Sequence, residues 1–272
     1  MTSNTVNVKH SGDLQYITFP KLSAAPGVRH VFSTRLGGVS GAPYGEMNLS
    51  FRNGDSRENV LENYRRICAV AGIDPSHLVL SRQTHTKNVR VVTRDNIGTG
   101  ICKPDFCDVD GLVTNEPGVA LVTQYADCVP LLFFDPVARV CANSHSGWRG
   151  TALKIGAETV KVLCERFGSR PENIIAAIGP CICKNCYEVD LPVYRAFEHS
   201  DLPAEIFEAK GDGEHFYLDL RRANTEILLR AGILPEHIDV ADLCTFEHSD
   251  LLHSHRATGG KRGNLAAIIE MV

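Results

Sequence analysis

Apolar side chains recur along this chain with two different periods, and their alternation predicts a mixed fold. Helices are predicted from a cap at Asp55 or Ser56 to Gly72, from about Thr151 to Gly168, and over residues 220–231. Between them, short β-rich runs predict strands over residues 78–80, 89–92, 119–125, 174–178 and 265–269. Because no regular βαβ repeat emerges, the pattern favours an α+β fold, a single domain with mixed β-sheets flanked by helices.

Two further apolar runs, residues 131–134 and 139–144, flank the turn sequence Asp135-Pro136-Val137-Ala138 and predict a β-hairpin. If the first and last turn residues face each other, the same register places Cys128 opposite His145. Opposed residues point to one side of a sheet with Cβ atoms roughly 5 Å apart, which lets a thiolate and an imidazole bind one zinc ion. We therefore predict that Cys128 and His145 are metal ligands and part of a catalytic site.

A third ligand is predicted at His85, in Gln83-Thr84-His85-Thr86 just before the strand at residue 89. A polar, threonine-flanked histidine at a strand mouth suits a metal ligand. On the residues alone, a solvated surface histidine and a buried unreactive thiol remain open alternatives for His85 and Cys128. Asp127 favours a functional role for its neighbour Cys128, because an acid beside a buried apolar thiol is costly without a partner.

The segment after the second hairpin strand has the features of an anion site. It turns through Gly147 and Gly150 into the helix predicted at Thr151, where free backbone N–H groups and the positive end of the helix dipole converge. Arg149 could bind phosphate there through two hydrogen bonds, although a surface position or a structural salt bridge remains open for it. Trp148 is expected to pack under the turn.

Two earlier segments are predicted to border a pocket. Residues 32–40 end a probable strand with a diglycine turn that could present Arg35 inward, and residues 47–50 follow soon after. We therefore take Arg35 and Asn48 as candidate substrate-binding residues, together with Arg149.

The run Cys181-Ile182-Cys183-Lys184-Asn185-Cys186 is a rival metal motif. Its three thiols could bind zinc or an iron–sulfur cluster, with Cys102 or Cys107 as a fourth ligand. The alternative is a loop whose thiols stay reduced.

Composition excludes several classes of function. The net charge is −4 without a basic block, which argues against nucleic-acid binding, and no uncharged apolar run of about 18 residues predicts a membrane span. The first ten residues have no hydrophobic signal core, so we expect a cytoplasmic protein whose ten cysteines are mostly reduced. We expect one catalytic domain over residues 1–272, with residues 1–28 as a less certain N-terminal extension, and a monomer or weak homodimer.

Five segments resemble the YfiH-like family, in the same order and with similar spacing. They are Gln83-Thr84-His85, Ala126-Asp127-Cys128-Val129-Pro130-Leu131-Leu132, His145-Ser146-Gly147-Trp148-Arg149-Gly150, Ile178-Gly179-Pro180 and Cys186-Tyr187-Glu188-Val189. The resemblance extends from about residue 30 to residue 272. Members are named as polyphenol oxidase (laccase), as peptidoglycan editing factor, and as zinc-dependent purine nucleoside phosphorylase with adenosine deaminase activity.

The resemblance implies one zinc ion held by His85, Cys128 and His145, in one α+β domain distantly related to the cytotoxic necrotizing factor toxins. This chain departs from the family pattern in three places. Cys183 replaces the last glycine of the usual G-P-x-I-G, and residues 254–258 and 262–264 differ from the usual S-Y-R-R-D and T-G-R. Substrate contacts from those loops, including any made by Arg256, are therefore not carried over.

Three protein ligands leave zinc one open position, as in catalytic sites. For deamination, water activated by the zinc would attack C6 of adenosine while Asp127 moves the proton. For phosphorolysis, phosphate held by Arg149 would attack C1′ of the ribose of adenosine, inosine, guanosine or methylthioadenosine, with Arg35 and zinc offsetting oxyanion charge. The predicted anion site favours phosphorolysis, with deamination as a second activity.

Three alternatives remain. The first is a cytosolic amidase that edits peptidoglycan precursors, which would use either zinc, or Cys128 activated by His145 as the nucleophile. A copper polyphenol oxidase is less well supported, because the eleven histidines include one H-x-H pair, His253-Ser254-His255. A zinc-stabilised binding protein without enzymatic activity is the third.

Overall fold

The computed structural model describes residues 6–198 and 200–272, which contain fifteen strands and seven α-helices. The strands are β1 (Asn7–Ser11), β2 (Leu14–Thr18), β3 (Val28–Ser33), β4 (Leu78–Leu80), β5 (Val89–Val91), β6 (Gly111–Thr114), β7 (Ala120–Tyr125), β8 (Val129–Asp135), β9 (Val140–Ser146), β10 (Ile175–Ile178), β11 (Glu188–Asp190), β12 (Phe207–Ala209), β13 (His215–Leu218), β14 (Ile238–Val240) and β15 (Leu265–Met271). The helices are α1 (Pro20–Ala24), α2 (Arg57–Ala71), α3 (Trp148–Ala152), α4 (Ile155–Phe167), α5 (Leu191–Arg195), α6 (Leu220–Arg230) and α7 (His255–Thr258).

Two six-stranded sheets form the centre of the protein. The first has the order β1-β2-β3-β15-β7-β4 and the second the order β14-β10-β8-β9-β6-β5, and each mixes parallel with antiparallel pairs. A third, smaller sheet has the order β11-β13-β12. These mixed sheets and their helices confirm the predicted α+β class.

The two large sheets pack face to face, and helices cover their outer faces. The core between the sheets includes Phe32 and Leu121 from the first sheet and Leu132 from the second. Side chains on the other face of the first sheet pack against α2, and those on the other face of the second pack against α4 and α6. Successive side chains of a strand therefore point alternately to the core between the sheets and to the core under the helices. Because both faces are buried, the strands are continuous apolar runs in the sequence.

The predicted helix that ends at Gly72 is confirmed as α2. The Ser56 hydroxyl accepts a hydrogen bond from the N–H of Asn59 and caps its first turn. Gly72 ends the helix in a left-handed conformation, with a φ of 67°. The helix predicted over residues 220–231 is confirmed as α6. The helix predicted from about Thr151 is interrupted.

The helix predicted from about Thr151 is two helices, α3 and α4. Lys154, between them, has a left-handed φ of 59°, which ends the α-helical path of the backbone. The prediction of one continuous helix was wrong for this reason. The long helix, α4, consequently begins at Ile155 and not at the glycine-containing turn.

The predicted hairpin exists as β8 and β9, but its register differs from the prediction. Asp135 pairs with Val140, and His145 pairs with Pro130 rather than with Cys128. Asp135 Oδ1 accepts hydrogen bonds from the N–H groups of Val137 and Ala138, at 2.8 and 3.0 Å, which closes a loop longer than the prediction assumed. Cys128 lies two residues before Pro130, so the prediction that it shares a side of the hairpin with His145 survives the correction.

β15 lies in the middle of the first sheet, between β3 and β7, and its residues are all buried. β1 and β2 add an antiparallel pair beside β3. The start of the predicted N-terminal extension, residues 1–5, lies outside the described residues, and the single-domain organisation stays a prediction. No helix in the described ranges has the length and apolar character needed to cross a bilayer.

Candidate active site

Three predicted ligands come together at one end of the two packed sheets. His85 lies between β4 and β5, Cys128 directly precedes β8, and His145 lies near the end of β9. Their ligand atoms all lie within 4.8 Å of one another. The two imidazole rings meet edge to face, with centroids 4.9 Å apart. The prediction that these three side chains converge from separate segments is thus supported by their geometry.

A buried carboxylate orients His145. Asp110, just before β6, lies with Oδ1 2.8 Å from Nδ1 of His145. This hydrogen bond leaves Nε2 of His145 available for a metal, the arrangement that carboxylates commonly impose on histidine ligands. Burial by itself would raise the pKa of Asp110, but its hydrogen bonds, that from His145 foremost, lower it.

The same carboxylate also shapes the loop that carries His85. The backbone N–H groups of Thr84, His85 and Thr86 donate to Asp110 at 3.1, 3.0 and 2.9 Å. His85 adopts a left-handed φ of 64°, which is uncommon for a residue other than glycine and is held here by these three bonds. Asp110 therefore positions two of the three candidate ligands.

The surroundings of the three side chains have the features of a metal site. Nδ1 of His85 is buried and has no hydrogen-bond partner in the described structure, which is costly for a polar atom unless a metal or another group binds it. Gly147 leaves the space in front of it, since a Cβ there would lie 2.8 Å from Cε1 of His85 and 3.0 Å from Sγ of Cys128. One thiolate and two imidazoles form a donor set that suits zinc.

The two histidines have opposite electrostatic environments. Burial, with a smaller contribution from His145, lowers the pKa of His85 to about 4, so its imidazole is neutral at neutral pH, as a ligand must be. Burial also disfavours a charge on His145, but Cys128 and then Asp110 outweigh this effect and raise its pKa to about 9. A metal ion at the cluster would replace the proton that this negative environment favours on His145.

A pocket of about 520 Å³ opens from the cluster. Its lining residues are Ser50, Arg52, Gln83, His85, Gln124, Ala126, Asp127, Cys128, His145, Trp148, Tyr187, His255, Arg256, Arg262 and Asn264. Arg52 pairs with Asp105 at 2.5 Å. In the described part of the chain, neither Arg256 nor Arg262 lies within salt-bridge distance of a carboxylate. This wall of the pocket suits an anionic ligand.

Arg149, Arg35 and Asn48 are not among these lining residues. The Arg149 guanidinium lies 4.2 Å from the ring centroid of Trp148, and Arg35 Nη1 donates to the carbonyl of Ser249 at 2.5 Å. Asn48 is fully buried, and its side-chain oxygen accepts from the N–H of Asn264 at 3.0 Å. The structure therefore places Arg149 next to the pocket wall and Asn48 behind it.

Asp127 lines the pocket beside Cys128 and is held by two donors. Its Oδ1 accepts from the hydroxyl of Thr245 at 2.6 Å, and its Oδ2 accepts from the N–H of Arg256 at 2.7 Å. Asp127 also has a left-handed φ of 87°. These bonds tie the loops at residues 245 and 256 to the segment that carries Cys128.

Sequence reasoning missed several residues of this site. Asp110 could have been found from its position, because an acid at the start of an apolar strand needs a buried partner. Tyr187 and Arg262 lie in segments that were compared with the family pattern, but the sequence did not place them at the pocket, because loops distant in sequence bring them there. His255 and Arg256 belong to a segment whose family motif is altered, yet both line the pocket.

The rival cysteine motif also needs correction. Cys183 and Cys186 do form a second ligand cluster, but the other members are Cys244 and Glu247. Cys102 and Cys107, predicted as possible fourth ligands, are exposed and lie outside it, and Cys181 is a buried core residue. The physical reason is that residues 181–186 and 244–247 follow neighbouring strands, which sequence distance did not reveal.

This chain is similar in sequence to a known protein family and to named proteins. A family model described as multi-copper polyphenol oxidoreductase laccase matches residues 29–272. The purine nucleoside phosphorylase YlmD of Bacillus subtilis (strain 168) is 36% identical over 242 residues, which are 88% of this chain and 87% of that protein.

Two more relatives extend the comparison. A protein named adenosine deaminase RL5, from an unknown prokaryotic organism, is 34% identical over 248 residues, covering 88% of this chain and 94% of that protein. The crystal structure of the Bacillus licheniformis hypothetical protein YfiH superposes with a TM-score of 0.91 at 30% identity, covering 97% of this chain and 99% of that one.

Proposed function

Since this chain belongs to the family described as multi-copper polyphenol oxidoreductase laccase, the YfiH-like family, we propose that it is a zinc-dependent purine nucleoside phosphorylase. Its proposed substrates are phosphate and adenosine, inosine, guanosine or methylthioadenosine. The observation that carries the proposal is the cluster of His85, Cys128 and His145, which opens into a pocket with an arginine-rich wall. A relative named purine nucleoside phosphorylase supports the same reaction.

His85, Cys128 and His145 are the residues that would hold the zinc, and Asp110 fixes the orientation of two of them. Zinc bound there supplies Lewis-acid stabilisation of negative charge. Residues of the pocket are proposed to bind and orient the substrates. Arg256 and Arg262, whose guanidinium groups are not paired with carboxylates in the described structure, are proposed to bind phosphate and orient it towards C1′ of the ribose.

In phosphorolysis a phosphate oxygen forms a bond to C1′ while the bond from C1′ to the purine nitrogen breaks, and the bonding electrons leave with the base. Burial lowers the pKa of Arg262, so its charge is poorly solvated and gains from a bound anion. The rings of Trp148 and Tyr187 line the pocket and offer faces on which a purine can stack. Arg149, predicted from the sequence to bind phosphate, lies against Trp148 and remains a candidate that mutation can test.

Deamination of adenosine is a second proposed activity. Asp127 lines the pocket next to Cys128, and its two hydrogen bonds from Thr245 and Arg256 hold the carboxylate in place as a proton acceptor. A relative named adenosine deaminase supports this assignment. Asp127 would pass to the leaving amine the proton taken from the attacking water.

The test uses the zinc-loaded protein with inosine, in the presence and absence of phosphate. We expect hypoxanthine and ribose 1-phosphate only with phosphate, and we expect His85→Ala to abolish their formation. His10→Ala, at an exposed histidine, is the control and should retain the activity. Base release that is absent with adenosine, inosine and guanosine, or that survives in His85→Ala, rules out the proposal.

The alternatives make different predictions. A cysteine amidase would survive chelation of the metal and lose activity on thiol alkylation. A zinc-stabilised binding protein would unfold, rather than only lose turnover, when a ligand is replaced. The copper oxidase named by the family model requires many histidine ligands, whereas the two ligand clusters found in the described residues contain two histidines together. We expect metal analysis of the purified protein to find zinc and no stoichiometric copper.

A further inference from the structure

A second set of metal-binding side chains lies away from the catalytic cluster. It is formed by two loops, one after β10 and one after β14, which are parallel neighbours in the second sheet. The carboxyl ends of parallel strands meet at the same sheet edge, so these loops leave the sheet side by side. Cys183 and Cys186 lie on the first loop, and Cys244 and Glu247 lie on the second.

The four side chains converge closely. The three Sγ atoms and a carboxylate oxygen all lie within 4.8 Å of one another. Sγ of Cys183 and Sγ of Cys186 are each 3.7 Å from the same Oε1 of Glu247. The N–H of Cys183 donates to Sγ of Cys244 at 3.3 Å, so the two loops also touch through a backbone-to-sulfur hydrogen bond.

We propose that Cys183, Cys186, Cys244 and Glu247 bind a second zinc ion, in a structural site. Three thiolates and a carboxylate complete a tetrahedral shell without an open position, unlike the three ligands of the catalytic cluster. Sulfur ligands of one tetrahedral zinc are roughly 3.8 Å apart, given Zn–S bonds of about 2.3 Å. The observed closeness of the four ligand atoms therefore fits a single ion better than a multi-iron cluster.

The site would tie together two loops that both contact Asp127. The N–H of Ile182, next to Cys183, donates to the backbone oxygen of Asp127 at 3.0 Å. Thr245, next to Cys244, donates to Oδ1 of Asp127 at 2.6 Å. A zinc ion that joins the loops thus fixes the segment that carries Asp127 and Cys128. Its role is to position the pocket, and it takes no part in the reaction.

Metal content per chain is the primary test, measured by mass spectrometry of the full-length protein purified with zinc. We expect two zinc ions in the unchanged chain and one in Cys186→Ser or Cys244→Ser. His85→Ala should also retain one, and the double variant His85→Ala with Cys244→Ser should retain none. Cys102→Ser, at an exposed cysteine outside both clusters, is the matched control and should keep two.

Several outcomes overturn the proposal. They are one zinc in the unchanged chain that His85→Ala loses, an unaltered metal content in both cysteine variants, or a Cys183–Cys186 disulfide found in protein purified without an oxidant. The test separates this site from the proposed catalytic function, because the cysteine variants should keep the zinc bound by His85, Cys128 and His145. Nucleoside phosphorolysis could fail altogether while the metal counts still decide the second site.

A second measurement applies even where the cysteine variants do not fold. Cobalt is substituted for zinc in the unchanged chain and in Cys128→Ser, and thiolate-to-cobalt absorption is recorded. We expect most of this absorption to persist in Cys128→Ser, because three of the four proposed thiolate ligands belong to the second site. Complete loss of the absorption in Cys128→Ser would mean that the second cluster binds no metal. Glu247→Gln should weaken cobalt binding at the second site and leave the catalytic one unchanged.

Discussion

The carboxylate of Asp110 lies 2.8 Å from Nδ1 of His145, and both side chains are buried. Asp110 also accepts three backbone hydrogen bonds from the loop that carries His85. One carboxylate thus controls the orientation of a ligand on β9 and the conformation of a loop between two other strands. The geometry of the proposed metal site depends on this residue, although it is not itself a proposed ligand.

Replacement of Asp110 by asparagine should weaken zinc binding by about 10- to 100-fold, because the amide carries no charge to hold His145 and the loop. Competition with a chromogenic chelator measures the Kd. Asp108→Asn is a matched control, since Asp108 is exposed two residues away and its carboxylate accepts a hydrogen bond from the hydroxyl of Thr84 rather than from His145. Equal affinities in the two variants would contradict the role assigned to Asp110.

Gly147→Ala should lose the zinc proposed at His85, Cys128 and His145, while the fold and the second proposed zinc are retained. The added Cβ would lie 2.8 Å from Cε1 of His85 and 3.0 Å from Sγ of Cys128, so the ligands must move apart. Gly150→Ala is the control, because its Cβ would approach no atom more closely than 3.4 Å among those described. Zinc content and circular dichroism measure the two effects. Full zinc occupancy in Gly147→Ala would place the metal elsewhere.

Arg256→Gln should raise the KM for phosphate about tenfold, which corresponds to about 1.4 kcal/mol of binding free energy. The reason is that its guanidinium lines the pocket and is not paired with a carboxylate in the described structure. Steady-state kinetics with inosine gives the KM, and Arg170→Gln, at an exposed arginine, is the control. If Arg149→Gln raises the KM and Arg256→Gln does not, the prediction made from the sequence for Arg149 is the better one.

Stability should decrease as the pH falls from about 6.5 towards 4, in part because of His30. Burial, with a smaller effect of Lys9, lowers the pKa of His30 from 6.5 to about 4, and its Nε2 accepts a hydrogen bond from the N–H of Phe19 at 2.8 Å. The unfolded chain takes up a proton at about pH 6.5 and the folded chain does not, so acid favours unfolding. Between pH 7.5 and 5, this histidine should lower the free energy of unfolding by on the order of 2 kcal/mol.

Urea unfolding at these two pH values tests this contribution. His30→Gln keeps a neutral acceptor near the N–H of Phe19 and removes the titrating group. The free energy of unfolding should therefore change less with pH in His30→Gln than in the unchanged chain. Identical pH dependence in both proteins would assign the acid sensitivity to other groups.

Local signals made much of the fold predictable. Ser56 and Gly72 mark the ends of α2 because a cap and a left-handed terminus depend on nearby residues alone. The break at Lys154 carried no such signal, since lysine seldom adopts a positive φ. The hairpin register depended on the loop that the Asp135 side chain closes, and the alternation of strand side chains preserved the correct face despite the error.

The candidate site was predictable where its residues lie in short sequence motifs. His85, Cys128 and His145 each lie in such a motif, and the structure brings them together. Asp110 carried only the general signal of an acid at a strand start, and Cys244 carried no signal as a partner of the cysteine loop, because both reach their positions through sheet pairing and neighbouring strand ends. Residues that position a ligand are harder to identify from a sequence than the ligands themselves.

The place of β15 in the first sheet has a consequence for how the protein is made. β3 and β7 are joined only through this strand, so the sheet stays divided on the ribosome until residue 271 has left the exit tunnel. The three proposed ligands of the catalytic cluster are synthesised well before that moment. Nascent chains should therefore expose His85, Cys128 and His145 to chaperones and to stray metal ions before the sheet that supports them can close.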